Sequence, residues 1–196
     1  MKKALFIDRD GVINRLVKYD SGWDSPQKTL DVRLVKDIEE VIYWVNQQKI
    51  PVIEISNQPG VAKGKIDQKT SDAIEKKVHQ LLEEKGAFID KVYICPHHRK
   101  ATVPRLRKNC NCRKPKPGLI LKASRQLGIN LEKSIFLGDK ASDVDAATKA
   151  GVKSLIYLHN KDESNKNKEA RQAKADFKTS STKEILQILR NFFKLK

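Results

Sequence analysis

The chain has 196 residues, 39% of them hydrophobic and 33% charged. Forty Lys and Arg against 24 Asp and Glu give a net charge of +16. That balance excludes an acidic solvating tail and leaves nucleic acid, anionic surfaces or phosphorylated small molecules as partners.

The longest apolar runs, such as residues 4–7, are strand-length, so no membrane span is expected. Charge returns at Asp8, too soon for a signal peptide, and three cysteines are too few for a disulfide framework. One domain over residues 1–196, in the cytoplasm, is the expectation. Short β-branched runs predict strands at 4–7, 51–55, 91–94, 134–137 and 152–158, with a weaker one at 175–177. Several are apolar at successive positions, as in parallel strands buried on both faces. Between them, Leu34, Ile38, Val41, Ile42 and Val45 recur at helical spacing. So do Ile74, Val78, Leu81 and Leu82, after a start signal near Asp67. Pro117-Gly118 opens a third helix, residues 143–150 form a short Ala-rich one, and 185–193 the last. Strands alternating with helices predict an α/β fold, a three-layer doubly wound parallel sheet. In such folds ligands bind where the strands end.

Two stretches break the pattern. Residues 96–117 lack periodicity and carry many basic side chains, which makes them a loop organised by something other than a core. Residues 160–174 are polar and apolar-poor, either a solvated helix or a mobile loop.

The strand ends carry the chemistry. The first ends in Asp8-Arg9-Asp10-Gly11, with two carboxylates on one side of an extended chain. Like charges that close need a cation or a catalytic role to compensate them. The second ends in Ser56-Asn57-Gln58, where a hydroxyl and free N–H groups suit a phosphoryl oxygen. Arg113-Lys114 precedes the third helix and can neutralise phosphate charge. The fourth strand ends in Gly138-Asp139, a carboxylate suited to a hard metal such as Mg²⁺. Asp143 follows, and a helix N-cap is its alternative role.

Cys95-x-His97, twelve intervening residues and Cys110-x-Cys112 supply three thiolates and an imidazole, a closed zinc set. His98 is the alternative imidazole. With four protein ligands no position is left open for water, so such a zinc would be structural.

Two acids, a hydroxyl, a Lys and a further acid at consecutive strand ends resemble the haloacid-dehalogenase (HAD) superfamily of phosphotransferases, over residues 4–151. The strings D-R-D-G-V-I-N, S-N-Q-P-G-V-A-K-G, C-P-H, C-x-C-R-K-P-K-P-G and G-D-K-A-S-D are similar to those of the heptose-1,7-bisphosphate 7-phosphatase and histidinol-phosphatase group. Val12 and Pro59 depart from the group's usual residues and touch only substrate fit.

The resemblance implies a HAD-like Rossmannoid fold with a zinc-bound loop at about 95–112. It also implies a Mg²⁺-dependent phosphomonoester hydrolase. Asp8 would be the nucleophile and Asp10 the general acid and base. Ser56 and Lys114 would hold phosphoryl oxygens, while Asn57, Gln58 and Arg113 would bind substrate. Mg²⁺ would sit on Asp8, the Asp10 carbonyl and Asp139, and the zinc on Cys95, His97, Cys110 and Cys112. The expected substrate is a phosphorylated heptose of lipopolysaccharide precursor synthesis, with histidinol phosphate as the alternative, and the expected state is a monomer.

Residues 95–131 hold ten basic side chains and no acidic one. That admits a different class, a zinc-clamped nucleic-acid binder or a nucleic-acid 3′-phosphatase. The segment has no aromatic residue for base stacking, which counts against it. About twenty residues separate Asn14 from the first helix, too few for a cap domain. A short flap with Tyr19 and Trp23 over the site is expected instead.

Overall fold

A computed structural model of the protein describes residues 2–159 and 165–194. The apolar runs become six parallel strands: β1 (Leu5–Ile7), β4 (Val52–Asn57), β5 (Lys91–Cys95), β6 (Ile135–Gly138), β7 (Lys153–Tyr157) and β8 (Phe177–Thr179). They lie in the order β5-β4-β1-β6-β7-β8. The chain thus begins at the middle of the sheet, winds outward through β4 and β5, then crosses back to β6 and winds outward the other way. The reversal lies between β1 and β6. Crossovers there leave in opposite directions and open a crevice beyond the strands' carboxyl ends.

Both faces of the sheet are covered, which is why the strands read as continuous apolar runs. On one face Leu5, Ile7, Val52, Leu137 and Leu155 pack with α1 (Ile38–Gln47), α2 (Gln68–Glu83) and α6 (Thr182–Phe193). On the other, Ala4, Phe6, Ile53, Ile55 and Phe136 meet α3 (Gly118–Leu127) and α4 (Ala141–Ala150). α2 starts where the sequence signals, with the Asp67 side chain accepting from the Thr70 N–H at 2.7 Å.

Several boundaries shift, each for a local reason. β4 continues two residues past its apolar run because Ser56 and Asn57 still pair with Ile94 and Cys95 of β5. α4 begins at Ala141, with Asp143 already in its first turn. β8 lies two residues later than expected, set by pairing of Phe177 to Thr179 with Leu155 to Tyr157. Within 160–174, residues Asn165–Gln172 form helix α5, whose Ala170 packs with Val144 and Ile156; 160–164 lie outside the described residues. Between β1 and α1 the described chain forms only a hairpin, β2 (Val17–Tyr19) with β3 (Gly22–Asp24), and one 3₁₀ turn (Thr29–Asp31). That hairpin is the expected flap. No described helix is long and apolar enough to cross a membrane.

Phe6 sits at the sheet centre with no exposure. We expect Phe6→Ala to lower unfolding free energy by about 3–5 kcal/mol, read from the denaturant midpoint at unchanged slope. A loss below about 1 kcal/mol would mean that this face of the sheet is not close-packed.

Candidate active site

β1 ends at Ile7, and the next residues turn across the crevice: Asp8 and Asp10 are both 4% exposed. Gly11 makes the turn possible in two ways. Its φ is +96°, and a Cβ there would lie 2.0 Å from Asp139 Oδ2. Asp139 follows β6, so the missing side chain lets two strand ends bring their carboxylates together. Gly138 serves α4 similarly, since a Cβ there would lie 2.4 Å from the Asp143 Cβ. One oxygen from each of Asp8, Asp139 and Asp143 falls within 4.8 Å of the others.

Two lysines offset this negative charge. Lys114 is buried, with Nζ 2.9 Å from Asp8 Oδ1, 2.8 Å from Asp143 Oδ1 and 2.8 Å from the Ile55 carbonyl it donates to. Burial alone would favour loss of its proton, but Asp143 and Asp8 outweigh burial and hold its pKa above the usual lysine value. Asp143 itself is pushed up to about 6, by burial first and by neighbouring Asp8 and Asp139 against the pull of Lys114 and Lys140. Asp143 also accepts from the Asp139 and Lys140 N–H groups at 3.2 and 3.0 Å. It therefore helps cap α4 from the third helical position, close to the N-cap role weighed from the sequence, and pairs with Lys114, a role the sequence did not suggest.

Lys140 Nζ lies 2.7 Å from Asp139 Oδ1, 2.9 Å from the Asp10 carbonyl and 3.5 Å from Asp8 Oδ2. These are the groups that the sequence expects to hold Mg²⁺. The ammonium is thus a stand-in cation, and its contacts show that three hard oxygens already converge on one point. A divalent ion fits that donor set.

Asp10 points its carboxylate the other way. It meets Arg9 at 3.1 Å and accepts from Gln58 Nε2 at 2.7 Å, Asn14 Nδ2 at 3.0 Å and Ser25 Oγ at 2.9 Å. Burial raises its pKa, but Arg9 and the Gln58 and Asn14 hydrogen bonds outweigh burial and hold it below the usual carboxylate range. Gln58, expected at the substrate, is spent in this network. Its amide also donates to Ser56 Oγ at 2.7 Å and accepts from Arg9 at 2.7 Å, and it lines a separate cavity of about 30 Å³. Asn57 clamps the Lys114 main chain, donating to its carbonyl and accepting from its N–H, both at 3.1 Å. Its position is on the cleft wall, but its amide is what holds Lys114 in place.

The four sulfur and imidazole residues come together. Cys95 Sγ lies 3.2 Å from Cys112 Sγ and 3.5 Å from Cys110 Sγ; His97 Nδ1 is 3.4 Å from Cys112 Sγ and 3.8 Å from Cys95 Sγ. A tetrahedral ion with bonds of about 2.0–2.3 Å needs ligand separations of about 3.3–3.8 Å. The three thiols are not disulfide-bonded. His98 takes no part; its Nδ1 accepts from the Lys100 N–H at 3.1 Å. The cluster reaches the cleft through its backbone, since Arg113 donates to the His97 carbonyl at 3.1 Å. Lys116 donates to the Cys110 carbonyl at 3.0 Å and Arg107 to the Ala101 carbonyl at 2.8 Å, so part of the basic excess ties the loop to itself.

The cleft above Asp8 has a volume of about 530 Å³, within the range of small-molecule sites. Trp23 of the flap lines it with Arg113, Lys63 and His159. Tyr19, the other expected flap aromatic, instead pins the hairpin's base: its hydroxyl donates to Asp31 at 3.2 Å and accepts from the Gln27 N–H at 3.0 Å. Sequence reading missed Ser25, Lys140 and Asn14. Ser25 had no signal, whereas Lys140 stood inside the G-D-K-A-S-D string.

Comparisons with known proteins identify the family. The HAD-hydrolase-like family matches residues 111–184. A D-glycero-β-D-manno-heptose-1,7-bisphosphate 7-phosphatase of Photorhabdus laumondii is 34% identical over 78% of this chain and 79% of its own. The same organism's α-anomer enzyme is 36% identical over 76% and 79%. Among solved structures, a D,D-heptose 1,7-bisphosphate phosphatase from B. bronchiseptica, complexed with magnesium and phosphate, superposes with a TM-score of 0.80 at 25% identity, covering 96% of this chain and 98% of that one. The chain belongs to the heptose-1,7-bisphosphate phosphatase family of HAD-like hydrolases, and it is a phosphatase.

Because Gly11 admits the Asp139 carboxylate, Gly11→Ala should displace it. We expect a loss of about a hundredfold in kcat/KM with a raised Mg²⁺ requirement and a preserved fold. Unchanged Mg²⁺ dependence would contradict this placement.

Proposed function

We propose that the protein removes the 7-phosphate of D-glycero-D-manno-heptose 1,7-bisphosphate through an aspartyl-phosphate on Asp8. The observation that carries the reading is the approach of Asp8 to both Lys114 and Lys140 at the floor of the cleft, with the Asp139 carboxylate and Asp10 carbonyl beside it. Uncatalysed phosphomonoester hydrolysis is so slow that enzymes reach accelerations of up to about 10²¹. The obstacle is an anion attacking a dianion. Mg²⁺, held by Asp8, the Asp10 carbonyl and Asp139, supplies positive charge against that repulsion when bound.

The chain's own residues do the rest. An Asp8 oxygen bonds to phosphorus as the phosphorus–O7 bond breaks, and the leaving alkoxide takes a proton from Asp10. Water then attacks phosphorus and gives its proton to Asp10, the bond to Asp8 breaks, and phosphate leaves. The low-lying Asp10 carboxyl suits the second step. For the first, arrival of the substrate dianion favours a proton on Asp10, because like charge raises a carboxyl's pKa. Lys114 and Ser56 hold the equatorial oxygens where charge gathers. Arg113, aimed by the His97 carbonyl, binds the distal part of the substrate, and Trp23 covers it. Gln58 orients Asp10 and Asn57 holds Lys114.

A structural zinc on Cys95, His97, Cys110 and Cys112 belongs to this reading, as do one domain over 1–196, a monomeric state and a cytoplasmic place in lipopolysaccharide precursor synthesis. The relatives named above are heptose bisphosphatases, so histidinol phosphate is not favoured. The self-tied arginines and lysines of the basic loop weigh against nucleic acid.

Asp8→Asn should abolish phosphate release from both anomers of heptose 1,7-bisphosphate while the protein unfolds as cooperatively as before. Full activity in that variant would place the nucleophile elsewhere. Phosphate release from histidinol phosphate or a 3′-phosphorylated oligonucleotide in preference to the heptose would overturn the substrate assignment. Stripping the sulfur cluster's ion with a chelator, then restoring Mg²⁺, should lower kcat/KM by about tenfold or more through Arg113 and Lys114. Metal analysis of the purified protein showing no zinc would refute the cluster's role.

A further inference from the structure

On the opposite face of β4 from α3, a second group of potential ligands lies outside the phosphatase site. Glu54 is in mid-strand between Ile53 and Ile55, with no exposure. Its Oε2 faces His79 Nε2 of α2 at 3.4 Å, and the same nitrogen lies 3.2 Å from Glu75 Oε1. A single ring nitrogen cannot donate well to two carboxylates at once. Among the described residues, Glu54 Oε1, buried, has no hydrogen-bond partner, and Glu75 Oε1 meets only that shared nitrogen. One ligand atom from each of the three residues falls within 4.8 Å of the others.

A carboxylate inside a sheet needs a compensating charge. Arg9 meets the other oxygen of Glu75, but no described side chain donates to Glu54 at better than 3.4 Å. An octahedral or tetrahedral ion with nitrogen and oxygen bonds near 2.1 Å sets neighbouring donors about 3.0–3.4 Å apart, and His79 Nε2 stands at such distances, 3.4 and 3.2 Å, from the Glu54 and Glu75 oxygens. The group is also reachable. A surface depression of about 500 Å³ along α2 opens onto Glu75 and His79, and its rim carries Asp72 and Glu83 with Lys76 and Gln80 between them.

We propose that Glu54, Glu75 and His79 form a second divalent-metal site, distinct from the catalytic one, that takes a first-row ion of Mn²⁺ type. Two carboxylates suit a harder ion and the imidazole a borderline one, a combination that favours Mn²⁺ over Mg²⁺. The site is linked to the reaction centre. Glu75 holds one end of the Arg9 guanidinium, whose other end holds Asp10 and Gln58. An ion there would share the Glu75 carboxylate with Arg9, drawing negative charge from the oxygen Arg9 holds, and so adjust how firmly Arg9 grips Asp10. The rival is a network held by protons alone. In it, burial pushes Glu54 up to about 7, and hydrogen bonds to Glu54 and Glu75 push His79 up to about 10.

The test counts bound Mn²⁺ by electron paramagnetic resonance of the free ion, using the full chain with its sulfur cluster loaded. We expect wild type to bind one equivalent more than His79→Ala and one more than the isosteric Glu54→Gln. Asp139→Asn should lose a different equivalent while retaining the one that depends on His79. This contrast separates failure of the second site from failure of the catalytic-site reading. The His79 side chain is only about a quarter exposed, so cooperative thermal unfolding is used to check that His79→Ala folds. Equal Mn²⁺ counts in wild type, His79→Ala and Glu54→Gln would overturn the proposal and leave a proton-held network.

Discussion

Crowding of like charge governs this molecule. Asp8, Asp139 and Asp143 converge where β1 and β6 end, in a setting almost without solvent. Unpaired carboxylates there would each cost several kcal/mol. Lys114, buried, and Lys140, half-buried, offset them, and the acids hold both lysines above the usual lysine pKa against the effect of burial. Neither set is stable without the other.

The fold exists to place those groups within reach of one another. The sheet's reversal between β1 and β6 opens the crevice, and absent side chains at Gly11 and Gly138 let the strand ends close on it. Lys114 arrives from a loop with no core of its own. It is fixed at its main chain by Asn57, while the neighbouring Arg113 is fixed by the carbonyl of His97. The sulfur cluster thus acts on the site through backbone geometry, at one remove from the chemistry.

Much of this was legible in the residues. Charged or polar groups at the ends of apolar runs are informative because only strands buried on both faces read as unbroken runs, and their ends must then face the crevice. Asp8, Asp10, Lys114 and Asp139 stand out in this way and the structure brings them together at the cleft, Ser56 stands out too but lies buried under Gln58, and the Cys95-x-His97 and Cys110-x-Cys112 spacings point to a cluster that the structure gathers. Side-chain direction was not legible. Gln58 belongs to the right turn, but Arg9 and Asp10 draw its amide away from the substrate. Tyr19 and Trp23 share a hairpin of three-residue strands, too short for a periodicity to say which of them faces inward. Glu54 carried a signal that went unread: one acid inside the run Val52–Ile55, three residues before the end of β4, is a misfit that needs a partner. Glu75 and His79, one helical turn apart, supply it.

The central claim is that Asp8, the Asp10 carbonyl and Asp139 share one cation, at the point where the Lys140 ammonium meets all three oxygens. A crystal structure grown with Mg²⁺ and a phosphate mimic tests it most directly. The expected result is Mg²⁺ bonded to those three oxygens, with the Lys140 ammonium swung onto the phosphate mimic. Mg²⁺ bound elsewhere, with Lys140 still on Asp139 and the Asp10 carbonyl, would contradict it.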